Sequence, residues 1–177
     1  MGFIEQVRSH APQARWQDAA NLHVTLKFLG ETAAEKTERV KEVLAKIEHP
    51  PMEIVFRGCG FFPNAKAARV FWAGVEGGDG LALLAGKVDE AMVQVGFERE
   101  PRAFHPHLTL ARASGRSSGN PHQRSRGESS AFAKLAQTIP ELRAEFGKMT
   151  AHEIYLYESK LSPKGAQYVK LASFPLS

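Results

Sequence analysis

Two stretches decide the fold of this chain: Asn21–Gly30, which reads NLHVTLKFLG, and Phe104–Arg112, which reads FHPHLTLAR. Each contains the tetrad His-apolar-Thr-apolar, which starts once at His23 and again, 84 residues later, at His107. A chain of this composition carries two such copies by chance in roughly one case per thousand, whereas one copy alone would be a weak signal. The repeated tetrad therefore indicates a functional pair and not two unrelated surface histidines.

The spacing within each tetrad predicts a β-strand that points its histidine and its threonine to one side. Side chains at i and i+2 share a face of a strand and lie about 6.6 Å apart along it. One imidazole can act as a base and a second as an acid near neutral pH. The hydroxyls of Thr25 and Thr109 can donate hydrogen bonds to phosphate oxygens. The residues thus predict acid/base chemistry at phosphorus by His23 and His107, and they leave open which histidine is the acid.

A metal site is the alternative interpretation of the second stretch, because His105-Pro106-His107 resembles a His-x-His ligand pair. Transition-metal sites need a third ligand and an outer shell of hydrogen bonds. The carboxylates nearest to the tetrads, Asp18 and Glu31, lie outside the strand alternation. The metal-independent interpretation is therefore favoured.

The remaining pattern predicts an α+β protein with antiparallel sheets and helices on the outer faces. The polar faces of the two His strands cannot lie under helices, which argues against a parallel sheet. The predicted elements are the end of a helix at 3–9, a strand at 22–29, a helix at 34–48, strands at 52–56 and 69–75, a helix at 81–95, a strand at 107–111, a helix at 130–138, and strands at 150–158 and 167–174. Loops are predicted at 58–66 and at 114–130, the second carrying Arg116, Arg124 and Arg126.

The composition is that of a globular protein with a mildly basic surface. The 177 residues carry a formal net charge of +4, which weakly favours polyanions such as RNA. A single cysteine, Cys59, excludes an intramolecular disulfide and a cysteine cluster for zinc, and its apolar surroundings predict a small buried residue. Neither a secretory signal nor an apolar run of membrane-spanning length is expected, so a cytoplasmic enzyme is the default.

At these residues the sequence resembles the bacterial and archaeal RNA 2′,3′-cyclic phosphodiesterases, which belong to the 2H phosphoesterase superfamily and are also described as 2′-5′ RNA ligases. Both tetrad stretches match the family's signature strands. Weaker similarities occur at Phe61–Asn64, Arg69–Val75 and Leu156–Leu161, and the resemblance runs from about Asn21 to Leu176.

The resemblance implies a single domain over 1–177, built of two pseudo-repeated lobes whose antiparallel sheets face a central cleft, with helices outside. It implies that the chain begins inside the family's first helix, so that the N-terminal strand of the family is absent. It also implies hydrolysis of RNA 2′,3′-cyclic phosphate ends to 2′-phosphates, with His23 as proton donor and His107 as proton acceptor. Reverse 2′-5′ RNA ligation is implied as a side activity. The expected partner is an RNA with such an end, for instance a tRNA fragment, and no metal, cofactor or membrane is expected. A monomer is expected.

Further candidates for substrate binding are Lys27, Arg112 and Phe61. Lys27 shares the predicted face of His23, whereas Arg112 has the opposite parity from His107 and reaches the site only if the strand twists or bulges. Phe61, together with Phe62 and Trp72, is a candidate for stacking on a base, although such aromatic residues are more often core.

Two other functions are compatible with the same residues. One is an RNA-binding module that cradles a terminal phosphate without turnover; the other is a phosphodiesterase for a small cyclic nucleotide or a phosphorylated metabolite. Two intact tetrads favour an enzyme over a module, and the basic balance favours RNA over a small molecule.

Overall fold

The computed structural model describes residues 2–114, 131–138, 145–162 and 165–177. Over these residues the chain mixes helices and strands, which confirms the predicted α+β class. The helices are α1 (Gly2–Arg8), α2 (Ala34–Leu44), α3 (Gly78–Gln94) and α4 (Ala133–Thr138), and the strands are β1 (Arg15–Trp16), β2 (Met52–Phe62), β3 (Val70–Glu76), β4 (His107–Arg112), β5 (Glu145–Ala151), β6 (Glu153–Ser162) and β7 (Gly165–Pro175). No helix in the described part is both long and apolar enough to span a membrane.

The strands form one five-stranded sheet, in the order β1-β4-β3-β2-β5, and one two-stranded sheet of β6 and β7. β1 is antiparallel to β4, and β6 is antiparallel to β7. Both pairings agree with the predicted antiparallel arrangement. The loop predicted at 114–130 lies outside the described residues beyond Ser114, and so do Arg116, Arg124 and Arg126.

The chain divides into two compact units, each built from three segments. Unit 1 comprises Met1–His23, Arg57–Gly74 and Leu108–Glu145; unit 2 comprises Val24–Phe56, Val75–His107 and Phe146–Ser177. His23 and Thr109 thus belong to unit 1, and Thr25 and His107 belong to unit 2.

The core of unit 1 is aromatic. Phe71 on β3 and Phe132, which precedes α4, are fully buried, and their ring centroids are 6.3 Å apart. Trp16 on β1 meets Phe71 edge to face at 6.0 Å and donates its indole N–H to the carbonyl of Ala11 at 3.0 Å. The two-residue strand β1 is thus anchored by the side chain of Trp16 as well as by its pairing with β4.

The core of unit 2 contains buried faces of α2, α3, β6 and β7. Val40 and Leu44 on α2, and Leu84, Val88 and Met92 on α3, recur at helical spacing and are buried. Both helices confirm the predicted elements, but α3 begins three residues early, at Gly78. Its first turn is closed by the N–H of Leu81, which donates to the carbonyl of Gly77.

Several predicted elements have different boundaries in the structure. The strand predicted at 52–56 continues to Phe62, so most of the predicted loop at 58–66 is strand. The glycines of this segment predict a loop, but Gly60 lies beneath the ring of Trp72, where a Cβ would be only 2.2 Å from the ring. A glycine in a strand often marks such a close approach and not a strand end. The sequence pattern also fails to predict β1 and β5.

Candidate active site

The first tetrad is not a regular strand, which corrects the prediction for 22–29. A 3-10 helix, Ala19–Asn21, leads directly into it, and only Val24 makes an isolated bridge. The predicted alternation also fails at Phe28, whose side chain is 71% exposed. His23 and Thr25 are both half-buried.

His23 is held by its own backbone neighbourhood. Its Nδ1 lies 2.7 Å from the carbonyl oxygen of Asn21, two residues before it in the chain. A carbonyl can only accept, so this contact is a hydrogen bond when Nδ1 carries the hydrogen. In the neutral ring the lone pair is then on Nε2, which is the nitrogen that can take up or release a proton.

His107 repeats this arrangement at the start of β4, where the predicted strand is confirmed. Its Nδ1 lies 2.8 Å from the carbonyl oxygen of His105, again two residues earlier. By the same argument, Nε2 of His107 carries the lone pair when the ring is neutral. The two histidines, 84 residues apart in the sequence, thus make the same type of local contact, which favours the same tautomer in each ring. This holds although His23 follows a 3-10 helix and His107 follows Pro106.

The two threonines have hydroxyls that are not used for hydrogen bonds among the described residues. Thr25 and Thr109 are half-buried, and neither hydroxyl makes a hydrogen bond to another residue of the described ranges. Each hydroxyl can therefore donate to a phosphate oxygen without breaking a contact within those ranges.

The ammonium of Lys27 is engaged within unit 2. It forms a short ion pair with Asp89 on α3 and donates to the carbonyl of Glu98 at 2.8 Å, and its side chain is only 6% exposed. The hydrogen bond from Lys27 holds the pKa of Asp89 below its usual range, helped by the backbone N–H of Glu100. The phosphate contact predicted for Lys27 stays a prediction, and this geometry supplies a structural function for the same charge.

Arg112 lies at the end of β4, exposed, with Arg15 of β1 as its direct cross-strand partner. Directly opposed residues of an antiparallel pair have Cβ atoms about 4.5–5.5 Å apart, and like charges there are destabilising. Neither arginine forms an ion pair with a carboxylate in the described part of the chain. Two uncompensated guanidinium groups side by side are suited to an anionic ligand such as a phosphate.

Phe61 is a member of the aromatic core of unit 1. Its ring centroid is 5.2 Å from that of Phe71 and 5.9 Å from that of Phe132, although Phe61 itself is half-buried. Phe62 packs on Trp72 at 5.2 Å, and the indole N–H of Trp72 is buried without a partner among the residues described. These contacts favour the core interpretation that the sequence left open, and base stacking by Phe61 remains a prediction.

Two other groups bear on alternative chemistry. Burial raises the pKa of the Cys59 thiol to about 12, so this half-buried thiol stays protonated at neutral pH and is a poor nucleophile. Within the described ranges, no group of three or more His, Cys, Asp and Glu side chains is arranged to hold a metal ion.

A family comparison connects this geometry to known proteins. The model of the 2′-5′ RNA ligase superfamily matches residues 2–160, which is most of the chain. The chain belongs to this superfamily. The match confirms the resemblance inferred from the two tetrads.

Curated members of the superfamily are similar over nearly the whole chain. The RNA 2′,3′-cyclic phosphodiesterase of Methanothermobacter thermautotrophicus is 35% identical over 175 residues, covering 97% of this chain and 88% of that protein. The protein of the same name from Archaeoglobus fulgidus is 36% identical over 155 residues, covering 87% of this chain and 79% of that protein.

Two solved structures have a similar fold. Escherichia coli LigT complexed with 3′-AMP has a TM-score of 0.72 at 26% identity, covering 98% of this chain and 89% of that one. A protein of Thermus thermophilus has a TM-score of 0.74 at 25% identity, covering 99% of this chain and 90% of that one. The predicted 2H phosphoesterase-like fold is thereby confirmed.

Sequence reasoning missed two features of this superfamily member. The pairing of Asp89 with Lys27 could not be predicted, because the residues are 62 positions apart and Asp89 belongs to no motif. The exposed tyrosines of β6, Tyr155 and Tyr157, could have been found from the sequence, because their i, i+2 spacing places both rings on one face of the predicted strand.

Proposed function

We propose that this protein hydrolyses the 2′,3′-cyclic phosphate at the end of an RNA and leaves a 2′-phosphate. The observation that carries the proposal is the matched setting of His23 and His107. In each ring Nδ1 lies against the carbonyl oxygen of the residue two positions earlier, so Nε2 is the nitrogen to which we assign proton transfer. The superfamily membership, and the names of the curated relatives, support an enzyme of this class.

The proposed reaction is an attack of water on phosphorus. Nε2 of His107 takes a proton from water as its oxygen bonds to phosphorus, and the bond from phosphorus to the 3′ oxygen breaks. The Nε2–H of His23 gives its proton to the departing 3′ oxygen, so the products are a 3′-hydroxyl and a 2′-phosphate. This order of donor and acceptor follows the family resemblance, because the two settings are too alike for geometry to choose.

The threonine hydroxyls would stabilise the charge that develops during the attack. Thr25 and Thr109 donate to the two non-bridging oxygens, which become more negative as the fifth bond to phosphorus forms. The hydrogen bonds between Nδ1 and the backbone carbonyls would also lower the barrier, because a ring already fixed in its tautomer and orientation needs no rearrangement before proton transfer.

The charge distribution supports RNA over a small cyclic nucleotide as substrate. Over its sequence range unit 1 has 11 Lys and Arg against 5 Asp and Glu, a net charge of +6, whereas unit 2 has 12 against 14, a net charge of −2. The opposed guanidinium groups of Arg15 and Arg112 belong to unit 1. We assign Arg112 to contacts with RNA phosphates beyond the cyclic end, because a mononucleotide offers no second phosphate to such a pair.

The reaction needs no metal in this scheme, because two imidazoles and two hydroxyls supply the acid, the base and the phosphate contacts. A 5′-hydroxyl in place of water as the attacking group would give a 2′-5′ linkage with the same residues. We propose this reverse 2′-5′ ligation as a side activity.

A cytoplasmic location and a monomeric state stay predictions, to be tested by cell fractionation and by light scattering on the purified protein.

The deciding experiment is incubation of the EDTA-treated protein with an oligonucleotide that ends in a 2′,3′-cyclic phosphate, followed by separation of the phosphate isomers. A 2′-phosphate product in EDTA supports the proposal, and a 3′-phosphate would show that the wrong oxygen leaves. Activity that returns only with added metal would favour the His105/His107 metal site. Binding without turnover would favour the RNA-end module, and turnover confined to 2′,3′-cyclic mononucleotides would favour the small-molecule enzyme. A tRNA fragment with the same end tests the expected partner.

A further inference from the structure

The β6–β7 ribbon carries aromatic side chains on one of its two faces. The register pairs Tyr155 with Ser173, Tyr157 with Lys170, and Ser159 with Tyr168. Directly opposed residues of an antiparallel pair project to the same side. Tyr155, Tyr157, Tyr168 and Lys170 therefore share one side of the ribbon, which we call the tyrosine face.

The tyrosine rings form a continuous cluster in which Tyr155 and Tyr157 are exposed and Tyr168 is half-buried. The centroids of Tyr155 and Tyr157 are 5.8 Å apart, and Tyr157 meets Tyr168 edge to face at 6.2 Å. Tyr155 is 38% exposed and Tyr157 is 39% exposed. Single exposed aromatic residues are ordinary on protein surfaces, whereas contiguous ones mark an interaction surface.

The core does not account for these rings, because the opposite face of the same ribbon supplies the buried side chains. Leu156 on β6 is buried and alternates with Tyr155 and Tyr157. Phe174 on β7 is also buried, and it is paired with Ile154, which lies on the same face as Leu156; a register shift between Leu156 and Tyr157 separates it from Lys170 and Tyr168. The tyrosines thus lie on the face of the ribbon opposite these buried side chains, and the ribbon would keep its buried contacts without them.

The tyrosine face carries one charge of each sign. Lys170 supplies the cation, and Glu153, two residues before Tyr155 on β6, supplies a carboxylate on the same side. The Nζ atom of Lys170 lies 3.7 Å from the ring centroid of Tyr155, a cation–π contact, and it forms no ion pair with a carboxylate of the described residues. The hydroxyl of Tyr155 donates to the carboxylate of Glu153, which raises the pKa of Tyr155 to about 12. The Glu153 carboxylate is thus held by the hydroxyl of Tyr155, whereas the ammonium of Lys170 forms only the ring contact among the described residues and can still contact a phosphate.

We propose that the tyrosine face stacks unpaired bases of the RNA, with Lys170 contacting a phosphate between them. Every base has a π-face and every step has a phosphate, so exposed rings beside a cation suit a single strand without fixed sequence. The proposal deepens the proposed function and rests on it for the identity of the RNA, whose bases upstream of the cyclic phosphate are the ones bound. A protein partner would need a complementary acidic and apolar surface, and it is treated as an outcome of the test.

The test separates binding from turnover by using a single-stranded oligonucleotide of about ten nucleotides with an ordinary 3′-hydroxyl. In fluorescence anisotropy, Tyr157→Ala weakens binding by about 5- to 150-fold, the range for loss of one stacked base. Tyr157→Phe keeps the ring and binds within about twofold of the wild type. Val169→Ala is the matched control, because Val169 is 40% exposed on the opposite face of the same ribbon, and it leaves binding unchanged.

A kinetic arm connects the tyrosine face to the cyclic end. Tyr157→Ala raises KM for a decanucleotide with a 2′,3′-cyclic phosphate, and it leaves kcat and the turnover of a 2′,3′-cyclic mononucleotide close to the wild-type values. Lys170→Gln lowers the salt slope of RNA binding by about 0.7, the value for one phosphate of a single strand. Thermal midpoints are measured for each variant, and Tyr155→Ala replaces Tyr157→Ala if the latter unfolds.

The outcomes distinguish failure of this inference from failure of the proposed function. An absence of hydrolysis with intact, tyrosine-dependent binding of the 3′-hydroxyl RNA would overturn the function and keep the tyrosine face. Hydrolysis with RNA binding that is the same in wild type, Tyr157→Ala and Tyr155→Ala would overturn the tyrosine face. Equal losses in Tyr157→Phe and Tyr157→Ala would also overturn it, because stacking needs the ring and not the hydroxyl.

Discussion

Replacing Lys27 by Met separates its two candidate functions, contact with the phosphate and anchoring of unit 2. Methionine keeps most of the apolar stem and removes the ammonium. The ion pair with Asp89 and the hydrogen bond to the carbonyl of Glu98 are lost together. Asp89 keeps the N–H of Glu100 at 3.1 Å and a distant Arg99 at 3.9 Å.

The structure sets the size of the expected loss. Removing one partner of a fully buried ion pair costs about 3–5 kcal/mol, because the other charge is left without compensation. Asp89 is 19% exposed and retains two weaker partners, so we expect Lys27→Met to lower the free energy of unfolding by about 2–3 kcal/mol, below that range. For a chain of this size the thermal midpoint then falls by about 4–12 °C.

The assay is urea unfolding of wild type, Lys27→Met, Asp89→Asn and the double variant. The coupling energy of the cycle should be about 1–3 kcal/mol at pH 7. Because the folded-state pKa of Asp89 is lowered, its contribution is complete above the unfolded value of about 3.9 and is lost as the pH falls through the folded value. The stability difference between wild type and Asp89→Asn should therefore shrink only on acidification below about pH 4.

A loss below about 0.5 kcal/mol in Lys27→Met, the size of an ordinary surface change, would refute the anchoring argument. If such a stable variant also showed weakened binding of the RNA end, the phosphate contact predicted from the sequence would be supported instead. A coupling energy near zero would mean that Lys27 and Asp89 act independently.

Three further predictions follow from the same structure. Arg112→Gln should weaken binding of single-stranded RNA and lower the salt slope by about 0.7, as expected for one lost phosphate contact; an unchanged slope in a salt titration would remove Arg112 from the RNA site. Gly60→Ala should lower the free energy of unfolding, measured in urea, by about 1–3 kcal/mol, because the new Cβ would lie 2.2 Å from the Trp72 ring. The control Gly86→Ala, in open space on α3, should be neutral or stabilising. Equal effects of the two substitutions would contradict the packing argument. The rate of cyclic-phosphate hydrolysis should be bell-shaped around neutral pH, since one imidazole must be neutral and the other protonated; a rate that rises steadily to alkaline pH would argue against the histidine pair.

Sequence periodicity predicted the elements whose burial is one-sided. Helices α2 and α3 and strand β4 have apolar residues at regular spacing, and each lies close to the predicted position. The class of fold and the two candidate catalytic histidines also followed from the sequence, since they depend on residue type and local order alone.

The failures have a different physical origin, because they depend on contacts between distant residues. The first tetrad has the alternation of a strand but does not form a regular one. It directly follows a 3-10 helix, and Lys27 forms an ion pair with Asp89 on α3. The glycines of β2 predict a loop, but Gly60 is a strand residue that leaves room for the ring of Trp72, and this contact cannot be seen in the sequence. The pairing of Arg15 with Arg112 depends on sheet register, which one sequence does not reveal.

The central claim is that His23 and His107 act as one acid/base pair, and single-turnover hydrolysis of a cyclic-phosphate oligonucleotide tests it most directly. His23→Ala and His107→Ala should each slow hydrolysis by about 10²–10⁴-fold. The double variant should be little slower than the worse single one, because the two groups act as a unit. RNA binding measured on the same oligonucleotide should change far less, since Thr25, Thr109 and the basic surface remain. Turnover that persists unchanged in either single variant would contradict the account.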